Sequence, residues 1–527
     1  MQTAMFFSGN LLAIIAVIPI LWLFVSLGVM KMAAPKATLA AVAASAALAV
    51  GVWGMPPTLA AKALLDGTVF AFMPIIWVIL AAVLTYSIAV ETKAIDSIKA
   101  LLASITEDRR LQALIIAWGF GGFLESVAGF GTAVVVPAAL LISLGFQPFR
   151  AALICLLANT VAVAFGVVGI PVTTLAWVTD LPVTALSVDI VLQLTPFVIC
   201  VPAFIVMATT RTVRDMLAVL PHTLASGVGF GAVQFFTAKY IGPELPAILG
   251  SLTAFGISVF MAKRMPPKNL YRFSGDLPGE IAGDAKTREA CSATPVNLGS
   301  QLRAWSPYIA LLVLVLGTSR FFPPVNQLLA KCAVSWLIYD GPGGKPFTVA
   351  WLLTPGTLVM LSAIFGGKMQ GASFITIGKL TVSTFKQLGK SIVTIVSIVA
   401  LAKVLSYSGM VDSIAVALAE MAGKGYPFVA PILGMLGTFI TGSDTSSNIL
   451  FGQLQKQVAL SIGVSPVWIA AANTSGACIG KLISLQSIAI ASIAANLSGR
   501  EGELLFTTLR YALGFTLVLG IIVLAFA

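Results

Sequence analysis

The sequence predicts an all-α polytopic membrane protein with about 12 transmembrane helices and two re-entrant hairpins in inverted-topology repeats. The first observation is composition: 58% of the 527 residues are hydrophobic and 10% are charged, whereas soluble domains carry about 25% charged residues. The second is the recurrence of apolar stretches of membrane-crossing length. The third is that two of these stretches are interrupted midway by glycine and polar residues. Such a composition excludes a water-soluble domain.

The predicted spans are apolar stretches of about 17 to 25 residues, the length that crosses a hydrocarbon core of about 30 Å. They lie near residues 8–30, 38–56, 67–90, 151–171, 187–209, 219–238, 245–262, 305–321, 349–366, 389–408, 466–490 and 505–526. Two further stretches, at about 111–147 and 426–460, contain a glycine-rich polar cluster at their centre. We interpret each as a hairpin that enters and leaves on the same side.

A polar segment near the middle of the chain predicts two halves. Residues 263–304 are rich in Pro, Gly and mixed charge, which is typical of a linker. The first transmembrane half is then 1–262 and the second is 305–527. With the hairpins returning to their own side, one side collects 21 of the 31 Lys and Arg residues and the other six. The positive-inside rule makes the first side and the linker cytoplasmic, with both termini periplasmic.

The two halves contain an internal repeat. Ser143-Leu-Gly-Phe-Gln-Pro148 matches Ser461-Ile-Gly-Val-Ser-Pro466, and Ala158-Asn-Thr160 matches Ala472-Asn-Thr474. Each half also has one carboxylate upstream, Glu125 or Asp444, at nearly the same distance from the matching serine. In the predicted topology the two copies run in opposite directions. This arrangement is typical of secondary transporters, which bind substrate near the midplane between the repeats.

The hairpin tips provide candidate binding residues. Gly131 and Thr132 lie at the first tip, and Ser443, Thr445 and Ser446 lie at the second. A half-helix that starts at such a tip has unpaired N–H groups and the positive end of its dipole, which together suit a carboxylate. The alternative is that these hydroxyls only cap the helices. The first interpretation predicts a small organic anion as the ligand.

Glu125 and Asp444 are the only carboxylates in the two hairpins. An ionised Asp at the centre of a membrane helix costs about 2.5 to 3.5 kcal/mol on insertion scales, so such residues usually have a function. We predict that they exchange the coupling proton, with Asp444 the favoured carrier. The alternative is a structural ion pair or a helix cap.

Polar residues in the spans that follow the hairpins complete the candidate site. Asn159 in the first half and Asn473 with Thr474 in the second must find hydrogen-bond partners, either on a crossing hairpin or on the substrate. Lys481 and Gln486 lie in a stretch that glycine and serine make discontinuous. Lys481 either pairs with Asp444 or meets the substrate anion, unless it extends to the membrane edge.

At these residues the chain resembles the lactate permease family of bacterial carriers. The resemblance extends across most of the chain and is carried by 121–132 (GGFLESVAGFGT), 165–171 (FGVVGIP), 441–448 (TGSDTSSN), 471–476 (AANTSG) and 480–487 (GKLISLQS). The chain departs from the family pattern at Ser126, Ala133 and Leu485.

The resemblance implies symport of lactate, glycolate or a related small 2-hydroxymonocarboxylate with a proton across the inner membrane. The implied partners are that carboxylate, protons and membrane lipid, without nucleic acid, metal or cofactor. One alternative is a sodium-coupled carrier of a dicarboxylate or an inorganic anion, since unwound carbonyls also bind sodium. An enzyme is disfavoured, because the chain has a single histidine and no cluster of catalytic groups.

Overall fold

The computed structural model describes residues 9–30, 32–129, 131–210, 212–273, 297–318, 322–344, 346–497 and 500–527. Helices make up nearly all of it, which confirms the all-α polytopic fold class. A single two-stranded antiparallel sheet, which the sequence interpretation did not predict, pairs β1 (Ala333–Trp336) with β2 (Phe347–Ala350) among these residues. The predicted linker is described only at its ends, because 274–296 lie outside the described residues.

The helices of the first half run in chain order from the first span to the edge of the linker. Their bounds are Gly9–Leu23 with the π-helical turn Phe24–Val29, Ala34–Gly51, Pro57–Phe70 with the π-helical turn Ala71–Ile76, Trp77–Glu91, Ala94–Ala103, Arg109–Ala113, Leu114–Phe120, Gly121–Val127, Thr132–Ser143, Pro148–Asn159, Val163–Phe165, Gly166–Thr179, Val183–Thr210, Val213–Leu217, Leu220–Tyr240 and Pro246–Arg264.

The second half is also helical apart from the β-hairpin. Its helices are Leu298–Ala304, Ser306–Thr318, Pro323–Ala330, Pro355–Met369, Phe374–Gln387, Gly389–Ser408, Met410–Ala422, Gly423–Gly425, Tyr426–Thr441, Asp444–Ile462, Pro466–Gly480, Leu485–Ala494 and Glu501–Ala525. Among the described residues, seven helical segments are long and apolar enough to cross a membrane, and up to nine if each bent pair counts as one span. The chain is therefore a multi-pass membrane protein.

Both predicted hairpins are pairs of helices joined at a glycine-containing tip. In the first hairpin one arm runs from Arg109 to Val127 and the other is Thr132–Ser143. In the second hairpin the arms are Tyr426–Thr441 and Asp444–Ile462. Left-handed backbone at Gly131 (φ 85°) and Gly442 (φ 75°) reverses the chain at the two tips.

The bases of the two hairpins lie at opposite ends of the last helix, Glu501–Ala525. The Arg109 guanidinium donates to the Leu144 carbonyl, so the first hairpin begins and ends at one place. Arg500 lies over the ring of the neighbouring Phe149, 5.4 Å from its centroid. At the far end of the helix, Trp468 Nε1 donates to the Val523 carbonyl at 3.0 Å, just after the second hairpin. The 25 residues between these contacts extend about 37 Å at 1.5 Å per residue.

Each hairpin is followed by a broken helix. The first comprises Pro148–Asn159 and the segment 163–179, bent by 61°. Our prediction of one continuous span at 151–171 is therefore wrong. Val167, Val168 and Gly169 have φ of 46°, 56° and 77°, a left-handed conformation that cannot continue a right-handed helix. The second broken helix comprises Pro466–Gly480 and Leu485–Ala494, as the glycine and serine residues there predicted.

The second segment of each broken helix crosses to the hairpin of the other half. Gly166–Thr179 lies parallel to the arm Asp444–Ile462, since Asn448 Nδ2 donates to the Pro171 carbonyl at 3.2 Å and Lys456 Nζ to the Thr179 carbonyl at 2.6 Å. Leu485–Ala494 packs against Thr132–Ser143. Ile490 of that segment lies against Gly131, where an added Cβ would be 2.8 Å from Ile490 Cδ1. The tips and the breaks therefore meet at one level inside the molecule.

Candidate functional site

A cavity of about 410 Å³ lies where the second tip meets the breaks of both broken helices. Seven of the predicted site residues line it: Glu125, Ser443, Asp444, Thr445, Ser446, Lys481 and Gln486. Ile75, Ile79, Val167, Ile170 and Ile440 form an apolar part of the same wall. The cavity also reaches Lys390, an exposed residue at the start of the helix Gly389–Ser408. These seven residues therefore line a single chamber whose wall is partly polar and partly apolar.

The second tip is built by two helix-end signals that follow each other directly. Gly442 adopts the left-handed conformation that ends the first arm, and Ser443 caps the second arm by accepting a hydrogen bond from the Ser446 amide at 3.3 Å. The second arm starts at Asp444, so its first amides point toward the cavity end of the helix. The structure thus combines both sequence interpretations: Ser443 is a cap, and the tip also lines the cavity.

Glu125, Asp444 and Lys481 form the charged part of the cavity wall. Glu125 and Asp444 are 4% and 2% exposed, and Lys481 acts electrostatically on both carboxyls. The Lys481 ammonium donates to the Gly442 carbonyl at 2.7 Å, which ties the second break to the second tip. Since an ammonium has three donors, this bond leaves capacity for a carboxylate ligand.

Each of the two carboxyls has one oxygen that makes no hydrogen bond within the described part of the chain. These atoms are Glu125 Oε2 and Asp444 Oδ1. The other oxygen of Asp444 lies 3.7 Å from the Cys478 thiol. A buried polar atom without a partner is costly and rare in folded proteins. These two oxygens are therefore available for further hydrogen bonds.

Asn159 lies at the first break, beside Glu125. Asn159 is buried behind the cavity lining and does not itself form part of the wall. Its predicted role in substrate binding would have to act through Glu125.

Gly131 and Thr132 lie outside the cavity. The Thr132 hydroxyl donates to the Gly129 carbonyl at 2.7 Å within its own turn, as expected for a residue that closes the tip. Gly131 packs against Ile490. The first hairpin therefore contributes Glu125 to the cavity, and its tip supports the second broken helix.

Asn473 and Thr474 form hydrogen bonds between helices, away from the cavity. Asn473 Nδ2 and Thr474 Oγ1 both donate to Asn448 Oδ1 at 2.9 Å. Gln455 Nε2 donates to Asn473 Oδ1 at 3.1 Å. This network joins the second hairpin to the second broken helix, which is the alternative that the sequence left open for Asn473.

Sequence reasoning did not select Asn448 or Cys478. Asn448 links Asn473, Thr474 and the first broken helix, and Cys478 contacts Asp444. Asn448 ends the polar run that starts at Gly442, so an amide at that depth was an available signal. Cys478 had no such signal, because a lone cysteine in an apolar helix usually acts as a small apolar residue.

Helices of membrane-crossing length, with a polar chamber at their interrupted centre, define a multi-pass membrane protein of the transporter class. A family model for L-lactate permease matches residues 12–340 and 342–527. The chain belongs to the L-lactate permease family.

Curated relatives are similar over almost the full length. The L-lactate permease of Streptococcus iniae is 43% identical over 88% of this chain and 94% of its own. The L-lactate permease of Bacillus subtilis is 37% identical over 98% of this chain and 96% of its own. The glycolate permease GlcA of Escherichia coli is 36% identical over 98% of this chain and 95% of its own. The resemblance to the lactate permease family that the motifs indicated is confirmed.

Proposed function

We propose that this protein is a proton-coupled symporter of lactate or a related small 2-hydroxymonocarboxylate such as glycolate, and that it works in the bacterial inner membrane. The relatives that cover nearly its whole length are named for lactate and glycolate. The observation that supports proton coupling is the set of charged side chains in the inner cavity. Two carboxyls, Glu125 and Asp444, line it together with one ammonium, Lys481.

The charge balance links the proton to the anion. With both carboxyls ionised the inner cavity has a net charge of −1, so a second anion is repelled; Lys390 lies at the exposed mouth, where solvent screens it. One proton makes the inner cavity neutral and lets the substrate carboxylate bind Lys481. Binding of the proton and of the anion then favour each other reciprocally, which is the requirement for symport.

The substrate fits the mixed wall. Its carboxylate would bind Lys481 and the amides at the start of the second arm, and its hydroxyl would bind Ser443, Thr445 or Gln486. The apolar wall at Val167 and Ile440 suits a short carbon chain. A dicarboxylate would bring a second negative charge to a cavity with one inner cation.

We further propose that the two hairpins are re-entrant and belong to inverted repeats, 1–262 and 305–527, joined by a cytoplasmic linker. The support is that their bases lie at opposite ends of Glu501–Ala525 while their tips approach each other. Arg109, Arg110, Arg150 and Arg500 gather at one end, around the first hairpin base. By the positive-inside rule that end faces the cytoplasm, so the C-terminal end of Glu501–Ala525 faces the periplasm. We propose the same side for the N-terminus, as the count of Lys and Arg residues in the sequence predicts.

Uptake of labelled L-lactate into proteoliposomes tests the function. We expect uptake to accelerate when the substrate side is made acidic without sodium, and unlabelled glycolate to compete for it. Uptake that requires sodium and ignores the pH gradient would remove the proton assignment. Competition by succinate in place of glycolate would favour a dicarboxylate carrier.

A further inference from the structure

A second cavity, of about 720 Å³, lies beside the central one. We call it the vestibule. Its wall comes from the end of the first broken helix (176–183), the β-hairpin, the helices Pro57–Phe70 and Gly389–Ser408, and the arm Asp444–Ile462. Ile449 lines both cavities, so the two adjoin each other. Lys456 is seven residues beyond Ile449, about 10 Å further along the arm toward the second hairpin base.

The vestibule has an ammonium whose hydrogen-bonding capacity is not filled. Lys403 Nζ bonds to Asp66 Oδ2 at 2.9 Å and to the Tyr407 hydroxyl at 3.1 Å, which uses two of its three donors. The Lys403 side chain is 27% exposed, and the residue lines the vestibule. Nζ also lies 5.4 Å from the centroid of the Phe70 ring, so a ligand that accepts from the third donor would lie beside that ring.

Asp66 offsets the positive charge of Lys403 but is much less exposed to the vestibule than Lys403 is. The Asp66 side chain is only 4% exposed, and its Oδ2 also accepts a hydrogen bond from Tyr407 at 2.8 Å. Tyr407 is held in position by Tyr339, whose ring stacks on it at 3.9 Å with an interplanar angle of 2°. The carboxylate is thus enclosed by its partners while the ammonium faces the open volume.

Lys456 presents a second ammonium to the same volume. It donates one hydrogen bond, at 2.6 Å, to the Thr179 carbonyl at the end of the first broken helix. A carbonyl does not neutralise its charge. Asp180, the remaining carboxylate of the lining, is an exposed residue that solvent screens.

The apolar part of the vestibule fits a short carbon chain. Phe70, Trp177 and Phe347 form one aromatic cluster, with centroid distances of 5.0 Å from Phe70 to Trp177 and 5.4 Å from Trp177 to Phe347. All three line the vestibule. Two cations beside an apolar surface suit a small monocarboxylate better than an inorganic ion, which gains nothing from aromatic contact.

We propose that the vestibule is a second binding site for a small monocarboxylate, held by Lys403 and Lys456 before it passes Ile449 into the central cavity. The ligand class rests on the proposed function. The site gives the carrier two binding positions along the arm Asp444–Ile462. An anion in the vestibule needs no proton, because Asp66 offsets Lys403 and the charge of Lys456 remains to attract it.

Equilibrium binding of labelled L-lactate to the purified protein, in chloride-free buffer at saturating ligand, tests the proposal. We expect two lactate molecules per protein in the wild type. The double variant Asp66→Asn/Lys403→Gln combined with Lys456→Gln should bind one. Lys481→Gln, which removes the central cation, should keep the vestibule site and bind the other lactate roughly 10- to 150-fold more weakly. Asp66 and Lys403 are changed together so that neither is left as an unpaired buried charge.

Two further variants keep the test interpretable. Lys456→Gln alone should lower the stoichiometry or weaken the second site at least tenfold, even if the combined variant does not fold. Lys424→Gln, at an exposed turn before the second hairpin and outside the vestibule, should keep both sites. One lactate per protein in the wild type, unaffected by the vestibule variants, would overturn the second site and leave the transport function intact. Absence of lactate from both sites, together with absence of uptake, would overturn the proposed function as well.

Discussion

The two hairpin tips share a sequence pattern and a fold, but among the residues that the structure describes the second tip lines the central cavity and the first does not. At the second tip, Ser443, Asp444 and Thr445 all line the cavity, and Lys481 binds the Gly442 carbonyl. At the first tip, Thr132 bonds within its own turn and Gly131 packs against Ile490. The first hairpin supplies Glu125 from the arm before its tip. The two hairpins therefore have similar architecture, but the second contributes more polar side chains to the cavity than the first.

The two tips contribute differently to the cavity because they have different side chains. The second tip has hydroxyls and a carboxylate at the first turn of a helix, where unpaired amides also lie. The corresponding turn of the first tip continues Thr132-Ala-Val-Val, with apolar residues that pack against the other half. We expect changes at the second tip to affect transport, and equivalent changes at the first tip to affect mainly stability.

The largest effect is expected from Asp444→Asn, because an amide cannot carry the coupling proton. With one proton per lactate, a pH gradient of one unit sustains about tenfold accumulation in the wild type, since each tenfold ratio corresponds to about 1.4 kcal/mol. In the variant we expect internal lactate to stop at the external concentration, while exchange of labelled for unlabelled lactate continues.

Glu125→Gln is the matched change in the other half. We expect it to slow uptake and preserve accumulation, since Glu125 then serves as a counter-charge to Lys481. The reverse outcome, with accumulation lost in Glu125→Gln and kept in Asp444→Asn, would assign the proton to the first half.

Lys481→Gln should have the next largest effect, on substrate affinity. Hydrogen bonds to charged groups contribute about 1.5 to 3 kcal/mol, so the KM for lactate should rise roughly 10- to 150-fold at 1.4 kcal/mol per tenfold. Initial rates over a range of lactate concentrations give the KM. Lys379→Gln, in the largely exposed helix Phe374–Gln387, is the control and should keep the wild-type KM. A Lys481→Gln variant with a normal KM would show that the substrate carboxylate binds elsewhere.

Gly442→Ala and Gly131→Ala compare the tips directly. Both glycines have left-handed backbone, and a Cβ at Gly442 would overlap Gln486 while one at Gly131 would press on Ile490. Each change costs about 1 to 2 kcal/mol in backbone conformation alone, which thermal unfolding in detergent should detect. Gly442→Ala should also lower the transport rate of the folded protein.

Gly463→Ala measures the backbone cost by itself. Gly463 has φ of 74°, and an added Cβ meets no atom within 4 Å. It should destabilise the protein without changing transport. Equal transport by Gly442→Ala and Gly131→Ala, once corrected for folded protein, would contradict the functional difference between the tips.

The smallest difference is expected between two hydroxyl deletions. Thr445→Val removes a cavity hydroxyl and should raise the KM about 2- to 12-fold, which corresponds to a neutral hydrogen bond of roughly 0.5 to 1.5 kcal/mol. Thr132→Val, at the first tip, should change the KM by less than about twofold, since its effect is indirect. The KM for lactate, measured for both variants under the same conditions, tests this difference. A larger increase for Thr132→Val than for Thr445→Val would indicate that the substrate binds nearer the first tip.

The sequence located both glycine-containing tips because glycine and polar residues within apolar stretches are local signals, while the re-entrant course of the hairpins stays a prediction. It did not predict the first break, since 161–172 are apolar or glycine and proline, and Val167 and Val168 rarely adopt left-handed backbone. The β-hairpin was missed although Gly341-Pro-Gly-Gly344 between its strands is a turn signal. Its two strands of four residues are too short to show a period.

The predicted site residues that line the cavity are those that belong to the second tip, to the second break or to the arm before the first tip, and their roles stay predictions. Seven predicted residues, including Asp444 and Lys481, line one cavity. Asn473 and Thr474 face Asn448 instead, and which face of a buried helix meets a cavity depends on how the neighbouring helices pack. A side-chain amide in an apolar helix predicts that it forms a hydrogen bond, but its position in the sequence does not predict which residue is the partner.

A structure of the protein with L-lactate bound tests the central claim most directly. The account predicts the lactate carboxylate within hydrogen-bonding distance of Lys481 Nζ and the first amides of the arm that starts at Asp444. Lactate bound against Gly131 and Thr132, with the second tip unliganded, would contradict it.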